Sequence, residues 1–297
     1  MSTLLLPIDG SPCSYEAVNY IKAISAIEED PKSVVVLHVQ DNRPLTIPVD
    51  IDHQKPRELR DLPADDPAHA LLNPVEQSLK ESGCLVHSYE AYGSPVHEIL
   101  AVAQERGCDR IVMGTSGLNR TEQLLLGSVA YRVLHRARVP VTLVRKAASR
   151  LSQSNNDYRL LVPIDGSKHS LKALDYVLRH SARDGETLIT LLYVQQPVGQ
   201  LPGHFASYRN ELEELFANEA RDVFNEAHQT LQGWNANVQE RVEIGNPASS
   251  IIKTAQAIEA SEIVMGTHGR TALVHAVLGS VAYHVVHLAD RPVTLVR

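Results

Sequence analysis

The chain contains itself twice. Residues 111–145 read IVMGTSGLNRTEQLLLGSVAYRVLHRARVPVTLVR, and residues 263–297 read IVMGTHGRTALVHAVLGSVAYHVVHLADRPVTLVR; 21 of these 35 positions are identical without a gap. The opening returns as well, with LLLPIDGS at 4–11 becoming LLVPIDGS at 160–167. The offsets are 152 and 156, so the second copy is four residues shorter in its middle. Solenoid repeats run to roughly 20–50 residues and need several copies, so a long unit present twice reads as a duplicated domain. A length of 297 residues gives each copy room for its own core. The expected domains are 1–146 and 157–297, joined by a Ser/Asn-rich linker at 147–156, AASRLSQSNN.

Within each copy, apolar runs alternate with helical spacing. Leu4–Asp9 and Ser33–Val39 are short, branched and apolar, as in buried strands, and Leu85–Tyr92, Arg110–Met113 and Val139–Val144 add three more. Between them Ser14–Ile27, Ser94–Arg106 and Ser128–Arg136 carry apolar residues at helical intervals. The second copy repeats the series with strands at Leu160–Asp165, Thr187–Val194, Val238–Ile244, Glu262–Met265 and Val293–Arg297. Its helices are expected at Leu171–His180, Ala248–Ala260 and Ser280–Ala289. Continuous apolar strands separated by amphipathic helices mean a parallel sheet covered on both faces, so each copy is expected to be a doubly wound α/β domain with five strands. The copies differ after the second strand. Residues 41–74 hold six prolines and predict an irregular excursion ending in a helix near Val75–Glu81. In the second copy Ser207–Leu231 predicts one long amphipathic helix, with Glu211, Glu213, Glu214 and Glu219 on a solvated face.

Open doubly wound sheets bind ligands beyond the carboxyl ends of their strands. The first strand of each copy ends in Pro-Ile-Asp-Gly-Ser, at Pro7–Ser11 and Pro163–Ser167. The fourth ends in Gly114-Thr115-Ser116-Gly117 or Gly266-Thr267-His268-Gly269, and nine residues after each second glycine comes Gly-Ser, at Gly127-Ser128 and Gly279-Ser280. That spacing suits anion capture: glycines allow close backbone approach, and the last Gly-Ser opens a helix whose amides and dipole favour phosphate. The bland alternative is that Gly-Ser merely caps the helix. Retention of all three glycines, the serine and the gap in both copies favours the phosphate.

This pattern, G-2x-G-9x-G-S after a strand ending Pro-x-Asp-x-Ser and before a PVTLV strand, resembles the universal stress protein family, and the resemblance covers nearly the whole chain twice. It implies strand order 3-2-1-4-5 and an adenine nucleotide, ATP foremost, as ligand. The site residues it implies in the first copy are Pro7, Asp9, Val39, Met113, Gly114, Gly117, Gly127, Ser128 and Val129. In the second they are Pro163, Asp165, Val194, Met265, Gly266, His268, Gly269, Arg270, Gly279, Ser280 and Val281. The Asp would lie near ribose or adenine and could position Mg on a phosphate, the Val backbone would meet adenine, and the glycine loop and helix start would hold phosphate. His268 and Arg270 follow the family pattern; Ser116 and Leu118 in the first copy do not, which predicts weaker binding there. Family dimers pair their last strands, so 139–145 and 293–297 are expected to face each other in an intramolecular pseudo-dimer, with homodimers through other surfaces left open.

Several functions are disfavoured. A formal charge of −7 is the wrong sign for a nucleic-acid surface. No run approaches 18 apolar residues, and Met1–Leu4 lacks a basic signal-peptide start, so no membrane association is expected. Cys13, Cys84 and Cys108 form no CxxC pair and read as reduced thiols, which fits a cytoplasmic protein. No GxxxxGK[ST] loop and no GxGxxG after a first strand is present. His284 and His287 share a helix face without a third ligand, and His38, His135 and His275 read as structural or surface residues. No Glu, His or Lys is placed as a base for water attack, so at most slow ATP hydrolysis is expected. The role that fits is regulation or sensing in a stress response, with an unidentified protein partner. A non-nucleotide interaction module and a slow ATP hydrolase stand as the alternatives.

Overall fold

The computed structural model describes residues 2–27, 32–40, 55–115, 126–145, 158–181, 187–195, 209–270 and 278–297. The chain divides into two compact units, Met1–Ser154 and Asn155–Arg297. The linker expected at 147–156 lies outside the described residues.

Unit 1 opens with β1 (Thr3–Ile8), α1 (Pro12–Ile27) and β2 (Ser33–Gln40). After a two-residue β3 (Arg57–Glu58) and a 3-10 turn (Leu59–Asp61) come α2 (Ala68–Lys80), β4 (Leu85–Tyr92), α3 (Pro95–Glu105), β5 (Arg110–Gly114), α4 (Ser128–Arg136) and β6 (Val141–Val144). Neighbouring strands run β4-β2-β1-β5-β6, all parallel, with β3 added antiparallel outside β4. Unit 2 repeats the plan with β7 (Arg159–Pro163), α5 (Lys168–Ser181), β8 (Leu188–Gln195), α6 (Arg209–Leu231), β9 (Asn237–Ile244), α7 (Pro247–Ala257), β10 (Glu262–Gly266), α8 (Ser280–Leu288) and β11 (Val293–Val296). Its strands run β9-β8-β7-β10-β11, all parallel. Counting the five parallel strands of each unit in chain order, both sheets read 3-2-1-4-5.

The central strands are apolar on both faces because helices cover both. Leu5, Leu6, Val34, Val36, Ile111 and Val112 in unit 1 are fully buried, as are Leu160, Leu161, Ile189, Leu191 and Ile263 in unit 2. Each such side chain contributes about 1.5–3 kcal/mol by leaving water. The chain leaves β1 toward β2 and later crosses to β5 on the other side, so the carboxyl ends of β1 and β5 flank a crevice; β7 and β10 do the same in unit 2.

Two expectations for residues 41–74 change. Residues 41–54 lie outside the described residues. Beyond them, α2 begins at Ala68 rather than near Val75 and carries Pro74 inside it. Ala68, Leu72, Val75 and Leu79 form one buried stripe, and that burial outweighs the hydrogen bond Pro74 cannot donate. Asp66 Oδ1 accepts from the Ala68 amide at 3.0 Å and fixes the start. The second change is β3, too short to read from sequence, which gives unit 1 a sixth strand. In unit 2 the long helix is present, with Ala220, Val223, Phe224 and Ala227 buried. The side chains of 209–216, Glu211, Glu213 and Glu214 among them, lie outside the described residues.

Candidate functional site

The site in unit 2 begins at the end of β7. Gly166 turns the chain at φ +74°, a left-handed conformation that favours glycine. Asp165 Oδ1 accepts the Ser167 amide across this turn at 3.0 Å, and its Oδ2 reaches the loop after β10 to accept the Arg270 amide at 3.1 Å. One carboxylate therefore ties the ends of the first and fourth strands together. In unit 1 the turn is the same, with Gly10 at φ +78° and Asp9 Oδ1 accepting from the Ser11 amide at 3.0 Å.

The three motif glycines have three different reasons. A Cβ on Gly266 would stand 2.6 Å from the carbonyl carbon of His169 and 2.7 Å from its oxygen; on Gly114 it would meet Cys13 at the same distances. What demands the first glycine is the start of α5 or α1, the helix after the neighbouring first strand, packed against this strand end. Gly269 has no room because a Cβ would lie 2.6 Å from Asp165 Oδ2. Gly279 is seated on the loop: its amide donates to Thr267 O at 2.8 Å, and a Cβ would lie 3.2 Å from that oxygen. Gly127 repeats the bond to Thr115 O in unit 1.

Gly279 is the N-cap of α8, at φ −66° and ψ 149°, and no side chain caps the helix. Ser280 is thus the first helical residue, and the cap is the glycine and not the serine. Gly127 and Ser128 stand likewise on α4. The first intrahelical bond of α8 runs from the Tyr283 amide to Gly279 O at 2.9 Å. The amides of Ser280, Val281 and Ala282 have no carbonyl to reach within the helix, and the helix dipole adds a partial positive charge there.

These elements surround a cavity of about 610 Å³, a size typical of small-molecule sites. Every unit-2 residue expected from the sequence lines it: Pro163 and Asp165 from β7, Val194 from β8, Met265, Gly266, His268, Gly269 and Arg270 from β10 and its loop, and Gly279, Ser280 and Val281 from α8. In unit 1, Pro7, Asp9, Val39, Met113, Gly114, Gly127, Ser128 and Val129 occupy the matching strand ends and helix start. Gly117, with Ser116 and Leu118, lies outside the described residues.

Tyr193 and Gln195, at the end of β8, also line the cavity, as does Glu219, which was not foreseen as part of it. Glu219 is no mere solvated residue: its Oε1 is 2.8 Å from Arg270 Nη1. Burial alone would lower the Arg270 pKa, but the hydrogen bond and charge of Glu219 outweigh it and raise the guanidinium above its ordinary value. The Tyr193 hydroxyl, which donates to Gln195 Oε1 at 3.0 Å, is pushed up by burial and then by Glu219. The sequence signal was positional: Glu219 adjoins Ala220 and lies one turn before Val223, at the margin of the buried stripe of α6.

His268 has its Nδ1 3.0 Å from Thr267 Oγ1, and its ring lies 5.2 Å from that of His169. Burial, then the neighbouring His268 and Lys172, lowers the His169 pKa below the ordinary imidazole value. Of the other histidines singled out above, His38 Nδ1 is 3.0 Å from Ile8 O, and His135, His284 and His287 each place Nδ1 within 2.8 Å of a carbonyl one turn back. His275 lies outside the described residues. Among the described residues no cluster of three or more His, Cys, Asp or Glu could hold a metal ion. Asp165 Oδ1 and Oδ2 each accept one backbone amide and each keeps a second lone pair.

A doubly wound sheet with an Asp-Gly turn, a two-glycine loop and a helix start around one crevice defines the α/β class of protein to which unit 2 belongs. The chain belongs to the universal stress protein family, which it matches over residues 1–145 and again over 158–297. It is 34% identical over 144 residues to a universal stress protein of Methanocaldococcus jannaschii, covering 48% of this chain and 81% of that one. It is 31% identical over 199 residues to one of Mycolicibacterium smegmatis, covering 65% and 63%. The crystal structure of an Archaeoglobus fulgidus universal stress protein shares the fold, with a TM-score of 0.62, 23% identity, and 99% of this chain and 96% of that chain covered. No described helix is long and apolar enough to cross a membrane.

Proposed function

We propose that the unit-2 cavity binds an adenine nucleotide, ATP foremost, and that the chain uses it as a regulatory or sensing signal in a stress response. The observation that carries this is the α8 N-terminus, where the amides of Ser280, Val281 and Ala282 open onto a cavity of about 610 Å³. An amide cluster with a helix dipole behind it and no capping side chain suits a phosphate. Val194 at the end of β8 offers backbone groups to an adenine edge, while His268 offers a ring nitrogen to phosphate. Mg, where present, arrives with the nucleotide, and Asp9 or Asp165 positions it on a phosphate.

Hydrolysis is not the main activity. Asp165 is oriented by two backbone amides and Glu219 is paired with Arg270, which gives both carboxylates a positioning role and supports slow hydrolysis at most. Unit 1 binds more weakly, since Ser116 and Leu118 replace His268 and Arg270. The working location is the cytoplasm, and a protein partner reads the bound state.

The test is to denature the purified full chain, identify any released small molecule by mass spectrometry, and titrate the emptied, refolded protein with ATP, AMP, adenosine and inorganic phosphate. Adenine nucleotide bound more tightly than adenosine supports the reading. No binding of any adenine compound overturns it in favour of an interaction module, and rapid phosphate release from ATP overturns it in favour of a hydrolase.

A further inference from the structure

We propose that Glu219 sets how strongly the unit-2 cavity discriminates between ligands by their number of phosphates, because it competes with those phosphates for Arg270. The proposal rests on the adenine-nucleotide reading above and adds a specificity-determining residue that lies outside the glycine motif.

Arg270 is the only Lys or Arg among the described residues that line the cavity, which also holds two carboxylates, Asp165 and Glu219. With His268 neutral, the lining side chains sum to one negative charge. The guanidinium is not waiting for a ligand: Nη1 is 2.8 Å from Glu219 Oε1, and the Tyr193 hydroxyl interacts with both partners. The backbone of Arg270 is fixed independently by Asp165. The side chain can therefore exchange partners while the loop stays in place.

One phosphate can be met by the α8 amides without disturbing this arrangement. Each further phosphate adds negative charge, and the cavity has one permanent cation to offer it. Taking that cation breaks the Glu219 pair and leaves the Glu219 carboxylate facing the incoming phosphates, a like-charge contact. Glu219 thus penalises a triphosphate much more than a monophosphate, and adenosine not at all. Its pair with Arg270 is partly exposed, with the two side chains 37% and 45% accessible, so the penalty is modest.

The experiment is a titration of the full chain with ATP, AMP and adenosine in metal-free buffer, comparing wild type with Glu219→Gln, which keeps the shape and a hydrogen-bonding carbonyl but removes the charge. The unit-1 site is the same in both proteins, so the difference reports on this cavity. ATP affinity should rise about three- to tenfold while AMP changes less than about twofold and adenosine stays constant. Arg270→Gln should lower ATP affinity toward that of AMP, and the double variant should lose most of the gain, since the effect of Glu219 runs through Arg270. A purely structural Glu219 would shift all three ligands together, and that result overturns the proposal, as does an unchanged ATP to AMP ratio. Both leave the nucleotide reading standing. A wild type that binds none of the three ligands overturns that reading and this proposal with it. Should thermal melting show Glu219→Gln unfolded, Arg270→Gln decides, and an unaltered ATP to AMP ratio in it overturns the proposal.

Discussion

Asp165 and Arg270 are joined backbone to side chain: the amide of Arg270 donates to Asp165 Oδ2 at 3.1 Å while Oδ1 holds the amide of Ser167. The carboxylate thus works as a clasp across the switch point, binding the loop of the fourth strand to the turn of the first. Asp165→Asn keeps one acceptor for Ser167 but turns an amide NH2 toward the Arg270 N–H, where an acceptor is needed. The expected cost is about 1–3 kcal/mol, that of a lost hydrogen bond to a charged group. Urea unfolding should show the loss, and an unchanged midpoint would mean the clasp contributes nothing.

Gly266 and Gly269 should separate under the same substitution. In Gly266→Ala the new methyl meets the His169 backbone at 2.6 and 2.7 Å, where nothing can rotate away. Overpacking of this kind costs about 1–3 kcal/mol or more, so unit 2 should melt earlier. In Gly269→Ala the obstacle is Asp165 Oδ2 at 2.6 Å, the end of a side chain that can turn aside. The domain should stay folded, release the clasp and bind nucleotide more weakly. Calorimetric melting beside ligand titration follows both effects; an unchanged melting temperature in Gly266→Ala would contradict the packing role of Gly266.

Much of this was readable in the sequence, and the failures have physical causes. Runs such as SVVVLHV and TLLLPI announce buried parallel strands because both sheet faces are covered. The Gly-Ser pair announced a helix start because the spacing recurs in both copies. The sequence did not show that Ser280 leaves the helix uncapped, since Ser at such a place caps as readily as it follows a cap. It concealed the length of α2, because Pro74 reads as a breaker until the stripe from Ala68 to Leu79 is seen buried. It concealed the partner of Arg270, because an acidic run on an amphipathic helix gives no rotational setting fine enough to single out Glu219 at its margin.

His169 makes unit 2 sensitive to acid. Burial, His268 and Lys172 hold its pKa below the ordinary value, and its place in the first turn of α5 adds an unfavourable dipole for the charged ring. The unfolded chain therefore takes the proton first. Above about pH 6.5 neither state is protonated and His169 has no effect on stability. As the pH falls through that value toward the lower folded pKa, stability is progressively lost, and below both it stays at the reduced level. His169→Gln should flatten the stability profile on the acid side of about pH 6.5 and leave it unchanged at pH 8. Denaturant unfolding from pH 5 to 8 measures this, and parallel profiles for the two proteins would count against it.

The three thiols should react in a fixed order. Burial, then Asp109, pushes Cys108 up to about 11, and Cys84 is likewise buried, whereas Cys13 is half-buried. Because the thiolate is the reactive form, an alkylating reagent applied to the native protein at pH 8 should label Cys13 and spare the other two until denaturant is added. Peptide mapping by mass spectrometry reads the order, and native labelling of Cys108 ahead of Cys13 would contradict the burial of Cys108.

The α8 start should matter more for phosphate than for folding. Ser280→Ala removes no capping bond, so stability should change by less than about 0.5 kcal/mol. Gly279→Val acts differently. The φ of −66° suits any residue, so backbone strain is not the issue. Space is: a Cβ already touches Thr267 O at 3.2 Å and the His268 Cα at 3.4 Å. Two methyl groups beyond it must push the Gly279 amide off Thr267 O and carry the Ser280–Ala282 amides away from their present line. The sheet and the buried faces of the helices are untouched, so the domain should remain folded by circular dichroism. ATP affinity should fall at least about tenfold, or 1.4 kcal/mol, while adenosine, which has no phosphate to lose its seat, should fall much less. Equal losses for ATP and adenosine would place the phosphate away from this helix.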